Sequence, residues 1–303
     1  MSNTHQDAIK QFLSLMGNVD EKLNDTFQNM HHGYPTETLA RFLKARDWDV
    51  QKAYKMLIDC LQWRIQNEID NILSKPIIPA DLYRAVRDSQ LVGLSGYSKE
   101  GLPVIAIGVG LSTYDKASVN YYVQSHIQMN EYRDRVVLPA ATQKYGKHIS
   151  TCLKVLDMTG LKLSALNQIK AVKPLLQERT KRKIQVLQGC GRDELLKVMD
   201  YSSLPHFCRK EGSGSSRNRS NGTIDNCFSL DHSYHQQLYN YIRHQANLIE
   251  SGRPIKQGSV HVEFPEPDPE DTKIAKTIES EFQRLADQNG ICNSLNGLKV
   301  NGD

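Results

Sequence analysis

The stretch Thr151-Cys-Leu-Lys-Val-Leu-Asp-Met-Thr-Gly-Leu-Lys-Leu-Ser-Ala-Leu-Asn-Gln-Ile-Lys170, continuing Ala171-Val-Lys-Pro-Leu-Leu-Gln-Glu-Arg-Thr-Lys-Arg-Lys-Ile-Gln-Val-Leu-Gln188, sets the fold class. Cys152-Leu-Lys-Val-Leu156 is a short apolar run closed by Asp157-Met-Thr-Gly160, the pattern of a buried strand ending in a turn. Ile184-Gln-Val-Leu187, closed by Gly189, is a second run of the same kind. Leu163 to Lys183 has helical composition, but Pro174 lies inside it, where a missing N–H and a ring clash kink or break a helix. Strand, helix, strand predicts a parallel pair joined by a right-handed crossover.

Upstream, the period is helical. Ile9, Phe12, Leu13, Met16, Val19, Leu23, Phe27 and Met30 recur at three- and four-residue steps until Gly33 and Pro35, which predicts an amphipathic helix or helix pair. A further helix over 36–46 places Leu39, Phe42 and Leu43 on one side. Asp49 can cap the next, with Ala53, Met56, Leu57, Cys60 and Leu61 as its stripe. From Leu91 the period changes: 91–97, a turn at 98–101 and Pro103-Val-Ile-Ala-Ile107 predict a hairpin or two adjacent strands. A long helix is expected over 116–137, a short one near 193–199, and a loop holding Leu204-Pro-His-Phe207. Strands alternating with helices argue for an α/β domain. The Gly- and Ser-rich stretch 212–222 reads as a linker. Beyond it, Tyr234, Leu238, Tyr241, Ile242, Gln245 and Ile249 follow helical spacing. Ile274, Ile278, Phe282 and Leu285 mark a last helix before a disordered tail.

At 303 residues the chain can bury a sizeable core, as one large domain with appendages or as two domains. Its six cysteines (60, 152, 190, 208, 227 and 292) form no Cys-x-x-Cys pair, and scattered thiols point to a reducing compartment. Met1-Ser-Asn-Thr-His-Gln6 lacks the basic flank and apolar core of a targeting segment, so the expectation is a cytoplasmic protein. No apolar run is long enough to span a bilayer. The net charge of +4 is uneven: residues 151–220 hold 14 Lys+Arg against 6 Asp+Glu, so the remainder sums to −4. A basic region favours an anionic partner such as a phospholipid surface, a phosphorylated ligand or nucleic acid, although a solvated face of ordinary helices leaves the same trace.

No nucleophile elbow, P-loop, His-Glu-x-x-His or dinucleotide fingerprint is present, which speaks against hydrolase and nucleotide chemistry. The ten histidines, including His31-His32, lack metal-ligand spacing, so no metal and no cofactor is expected. Asp157 sits where α/β folds place functional groups, though it reads first as a turn residue. The basic region lacks interleaved aromatics, so nucleic acid is not expected as a partner. Two basic groups stand out. Thr180-Lys-Arg-Lys183 ends the proline-broken helix, where cations also complement the helix dipole; Arg41, Lys44 and Arg46 share a helix whose other face must be buried. Two such clusters near one cavity would suit a phosphate.

Arg41-Phe-Leu-Lys-Ala-Arg-Asp-Trp-Asp-Val50, with Ala53, Leu57 and Trp63-Arg64, resembles the N-terminal helical module of the CRAL-TRIO superfamily. Gly101-Leu-Pro-Val104, Asp157-Met-Thr-Gly160, Lys173-Pro-Leu-Leu176, Lys183-Ile-Gln-Val-Leu187, Glu194-Leu-Leu196 and Leu204-Pro-His-Phe207 follow in the order of its sheet domain. The resemblance is to Sec-fourteen-like phosphatidylinositol/phosphatidylcholine transfer proteins in their short form. It implies an N-terminal helical bundle followed by a mainly parallel sheet with flanking helices. The expected division is a helical segment over 1–34, the helical module over 35–77, a lipid-binding domain over 78–231, and a helical extension and tail over 232–303.

The resemblance implies a pocket for one phospholipid, no covalent chemistry, and headgroup contacts from Lys44, Thr180, Lys183 and Ser164. It implies a monomer that visits cytosolic membrane surfaces of the Golgi, endoplasmic reticulum or plasma membrane, exchanges phosphatidylinositol and phosphatidylcholine, and serves phosphoinositide kinases and vesicle traffic. Lysine at 44 replaces the family's arginine, which keeps the charge and loses the bidentate fork. It also implies that a strand-crossover unit of roughly thirty residues is missing between Lys170 and Ala171. The lost strand would lie in the pocket floor, and a splice-type product is the expected origin. A lipid-free interaction or regulatory protein is the alternative reading.

Overall fold

A computed structural model describes residues 3–161, 182–209 and 226–249, together with Lys276 and Ser280. Helices α1 (Asn3–Met16), α2 (Glu21–His31), α3 (Pro35–Ala45) and α4 (Val50–Gln66) form the N-terminal bundle. The long amphipathic pattern at the start is a helix pair, because Asp20 begins α2 by accepting a hydrogen bond from Leu23 N at 2.9 Å. Asp49 begins α4 in the expected way, accepting from Lys52 N at 3.0 Å. The bundle core is Phe12 of α1, Phe27 of α2, Leu39 and Leu43 of α3, and Ala53, Leu57 and Leu61 of α4. Fully burying side chains of this size contributes about 1.5–3 kcal/mol each, which holds four short helices together where none would persist alone.

A 3₁₀ turn (Ile69–Ser74) and helix α5 (Ala80–Ser89) lead into strands β1 (Val92–Tyr97) and β2 (Pro103–Gly108). The two strands pair antiparallel, with a register shift between Leu94 and Gly96. Helix α6 (Val119–Tyr132) continues through a π turn (Arg133–Val137) into α7 (Leu138–Tyr145), so the expected long helix starts three residues late and ends in a wider turn. Strand β3 (Leu153–Asp157) pairs parallel with β2. After it come α8 (Arg192–Val198), a 3₁₀ turn (Tyr201–Ser203), the short helix α9 (His206–Arg209) where a loop was expected, and α10 (Ser233–Ile249).

The described sheet has three strands in the order β1-β2-β3, one ladder antiparallel and one parallel. Ile184 to Leu187, expected to be a strand parallel to β3, has no regular structure: Ile184 is 43% and Val186 73% exposed. A four-residue apolar run becomes a strand only where an edge is offered to it, and periodicity alone cannot say whether one is. The helix expected over 163–183, the linker and the last helix lie outside the described residues, apart from isolated positions.

One face of the sheet packs Val104 and Ala106 against Leu195, Met199, Leu204, Phe207 and Phe228. A separate core joins Ile69, Ile72 and Leu73 to Ile127 and Met129 of α6 and to Tyr234, Leu238 and Ile242 of α10. Gly93 of β1 makes this arrangement possible. A Cβ there would stand 1.8 Å from the Cys227 carbonyl oxygen, so only glycine lets the segment before α10 lie across the strand.

Candidate functional site: a cleft between the helical bundle and α7

A cleft of about 380 Å³ opens between the bundle and the sheet domain. Helix α3 supplies Thr38, Arg41, Phe42 and Ala45 at helical spacing on one side; α7 supplies Leu138, Pro139 and Thr142 on the other. The α2–α3 turn supplies His31, His32 and Tyr34. His32 and Gly33 both adopt positive φ, 49° and 85°, which reverses the chain sharply enough to bring these rings together. Tyr34 stacks on His148 with ring centroids 3.7 Å apart. Ile149, next to His148, is pinned to α7 because its N–H donates to Thr142 Oγ1 at 2.9 Å.

Burial lowers the pKa of His31, partly offset by a backbone hydrogen bond. Burial, with Arg135 next, lowers that of His32. Gly33 N donates to His31 Nδ1 at 3.0 Å, so His31 Nε2 carries the proton and donates to Gln28 Oε1 at 2.9 Å. The cleft therefore presents an exposed arginine, neutral imidazoles, a phenol and apolar side chains, a set suited to a polar anionic group carried on an apolar body.

Beneath it, Arg64 joins the two halves of the molecule. Its Nη1 and Nη2 bind the two oxygens of Glu131 on α6 at 2.8 and 2.9 Å, and its Nε and Nη2 bind Asp70 Oδ1 at 3.1 and 2.6 Å. Arg135 adds Nε and Nη2 bonds to Glu131 Oε2 at 3.1 and 2.8 Å. Burial alone would raise the Glu131 pKa, but the two guanidiniums outweigh it and the carboxyl is held below its usual range. Burial likewise disfavours the Arg64 cation, and Glu131 with Asp70 more than reverses this. The network is structural in geometry, since both Glu131 oxygens and Asp70 Oδ1 are occupied by arginines and Asp70 Oδ2 accepts from Asn29 Nδ2 at 3.0 Å.

A second, more apolar hollow of about 490 Å³ lies along α6, lined by Trp63, Ile69, Tyr122, Val123, His126 and Ile127 among others. Both hollows fall within the roughly 300–1,000 Å³ usual for small-ligand pockets.

Of the residues expected at a headgroup, Lys44 is exposed on α3, beside the cleft-lining Ala45. Lys183 is exposed in a turn, and Thr180 and Ser164 lie outside the described residues. Asp157, the last residue of β3, secures the turn that follows: its Oδ1 accepts from Thr159 N at 2.9 Å, and its carbonyl accepts from Val109 N at 2.9 Å. His32, Tyr34, His148 and Glu131 were not foreseen. Arg64 had been singled out only through the Trp63-Arg64 motif, and a charged residue on a buried face of α6 was the one signal that could have exposed Glu131. Among the described residues there is no group of three metal-ligating side chains and no helix long and apolar enough to cross a membrane.

Residues 8–59, which span most of the bundle, match the family model described as CRAL/TRIO, N-terminal domain. Phosphatidylinositol/phosphatidylcholine transfer protein SFH11 of Arabidopsis thaliana is 26% identical over 241 residues, covering 66% of this chain and 61% of that protein. Phosphatidylinositol/phosphatidylcholine transfer protein SFH9 of the same plant is 27% identical over 234 residues, covering 62% of this chain and 40% of that protein. Protein real-time of Drosophila melanogaster is 34% identical over 92 residues, covering 29% of this chain and 13% of that protein. The chain thus spans less than two thirds of the length of these curated relatives. The alignment with SFH11 runs to 241 residues although it takes in only 66% of the 303 here, so that relative carries residues inside the matched span that this chain lacks. A helical module that matches the CRAL/TRIO N-terminal domain leads into a mixed sheet, and about two thirds of the chain is similar to phosphatidylinositol/phosphatidylcholine transfer proteins of the Sec-fourteen-like kind.

Proposed function

We propose that the chain binds a phospholipid, phosphatidylinositol or phosphatidylcholine, and carries it between membranes without covalent chemistry. The observation that carries this reading is the similarity, over about two thirds of the chain, to proteins named for transferring those two lipids. The cleft supports it physically: Arg41, with Lys44 beside it, offers cations to a phosphate, and the aromatic and aliphatic walls suit glycerol and the first methylenes. Lys183 completes the headgroup contacts together with Thr180 and Ser164. The protein works as a cytoplasmic monomer, touches anionic membrane surfaces transiently, and presents phosphatidylinositol to kinases in signalling and traffic.

The test is lipid extraction from the purified chain with mass spectrometry, followed by transfer of labelled phosphatidylinositol between vesicles. The reading expects about one phospholipid per chain. It also expects transfer to fall at least tenfold in the Arg41→Glu, Lys44→Glu double variant, since both charges reverse at the proposed phosphate contact. A folded, lipid-free monomer that transfers neither lipid would overturn it.

One observation favours the alternative of a lipid-free interaction protein. Val186 is 73% and Leu156 54% exposed, so apolar groups that a completed sheet would cover face solvent. On that reading the chain alters vesicle transfer by a full-length relative while carrying nothing itself.

A further inference from the structure

Helix α10 is fastened to the sheet domain by a contact that exists in only one protonation state. Arg87 of α5 is 1% exposed. Its Nη2 donates to His235 Nδ1 at 2.9 Å and to the Val92 carbonyl at 3.4 Å. Its Nη1 donates to Ser125 Oγ at 3.4 Å and to the Met129 sulfur. Among the described residues no carboxylate pairs with this cation, and its Nε has no partner. His235 of α10 is 2% exposed, and its Nε2 lies 2.9 Å from the Cys227 carbonyl. An arginine can only donate, so Nδ1 is the acceptor; a carbonyl can only accept, so Nε2 holds the proton. Both ring nitrogens are committed, and the ring is neutral. A proton on Nδ1 would break the bond to Arg87 and set two cations against each other where water is excluded.

The groups facing His235 offer no relief. From α5 come Arg87 and, within electrostatic reach of that guanidinium, Tyr83; from the segment before α10 come the Cys227 carbonyl and His232; from α10 itself comes Tyr234. Helix α6 contributes Ser125 and Met129, and β1 the Val92 carbonyl. None is a carboxylate.

We propose that the His235–Arg87 contact is a pH-sensitive latch whose protonation releases α10 from β1 and the 3₁₀ turn, uncovering Ile69, Ile72, Val92 and Leu94. These are the residues on which Tyr234, Leu238 and Ile242 pack. Burial first, and Arg87 next, hold the His235 pKa well below the ordinary imidazole value. Its docked value is therefore below its undocked one. The latch is at full strength above the ordinary value near 6.5, and the docking equilibrium weakens by up to tenfold per pH unit as pH falls below it. The device belongs to the folded chain and does not depend on whether the cleft takes a lipid.

The test is amide hydrogen exchange of α10 at pH 7.5, 6.5 and 5.5, expressed as protection factors so that intrinsic exchange rates cancel, alongside an NMR titration of His235. Protection of 238–246 is expected to fall up to tenfold per unit below pH 6.5 while the bundle core holds. In His235→Gln, whose amide oxygen accepts from Arg87 and does not titrate, it is expected to stay level. A His235 that titrates near 6.5 in the folded protein, α10 protection independent of pH, or the same decline in His235→Gln would each overturn the latch. Should the variant fail to fold, the titration of the unaltered chain decides.

Discussion

Replacing Glu131 by Gln removes the carboxylate that binds both the buried Arg64 and the half-buried Arg135 most closely. Four N–H···O contacts of 2.8–3.1 Å end on it, from Arg64 and Arg135. The Arg64 and Glu131 side chains are each 10% exposed, so solvent cannot replace what is lost. Breaking a buried pair by deleting one partner costs about 3–5 kcal/mol. Arg64 keeps Asp70, which places the expected cost at the lower end, about 3 kcal/mol. For a chain of 303 residues that corresponds to a fall in Tm of roughly 5 °C. Urea unfolding followed by the fluorescence of Trp48 and Trp63, both in or at the end of the bundle, reads the loss directly. The pH dependence has a definite sign. Glu131 has a folded pKa below its unfolded value, so its stabilisation is complete above the ordinary carboxylate range and disappears as pH falls through the folded value. The Glu131→Gln variant should lose that part of the acid sensitivity. A cost below about 1 kcal/mol would refute the reasoning, as would costs of Glu131→Gln and Arg64→Met that simply add in the double variant, because contacting residues in one network should couple.

Three further outcomes are expected. Gly93→Ala must displace the Cys227 carbonyl from 1.8 Å and should destabilise by about 3 kcal/mol, seen as a lower urea midpoint with α10 losing protection first. Burial pushes the Cys208 and Cys227 thiols up to about 12, so at pH 8 only about one in ten thousand is ionised; a disulfide reagent should modify the partly exposed Cys152 and Cys190 well before them, and equal rates would contradict this burial. Phe12→Ala removes a side chain with no solvent exposure from the bundle core and should cost about 3–5 kcal/mol in chemical denaturation; a loss under 1 kcal/mol would mean that α1 is not docked.

The helical bundle was legible almost residue by residue. Its apolar stripe repeats at helical steps, and its boundaries are local: Asp20 and Asp49 cap, Pro35 starts a helix and Gly33 turns the chain. The β1–β2 hairpin was legible for the same reason, since a turn at 98–101 and the flanking runs lie within a few residues of each other. Ile184 to Leu187 misled because a strand is completed by a neighbour, and no property of four residues names that neighbour.

The site divided along the same line. Arg41, Lys44 and the Trp63-Arg64 pair were visible as members of a motif on helices whose buried faces could be assigned. That Arg64 reaches Glu131, sixty-seven residues away, or that Tyr34 meets His148, was not. His235 was one apolar-pattern neighbour among ten histidines until folding set it between Arg87 and the Cys227 carbonyl. Local order, and hence the bundle, the hairpin and the family motif, came from the residues in sequence, because capping and periodic burial act over a single turn or strand. Partner choice among buried charges and the protonation state of His235 were decided by tertiary structure, because desolvation makes an ionisable group's energy depend on whichever distant atoms the fold brings within 3 Å.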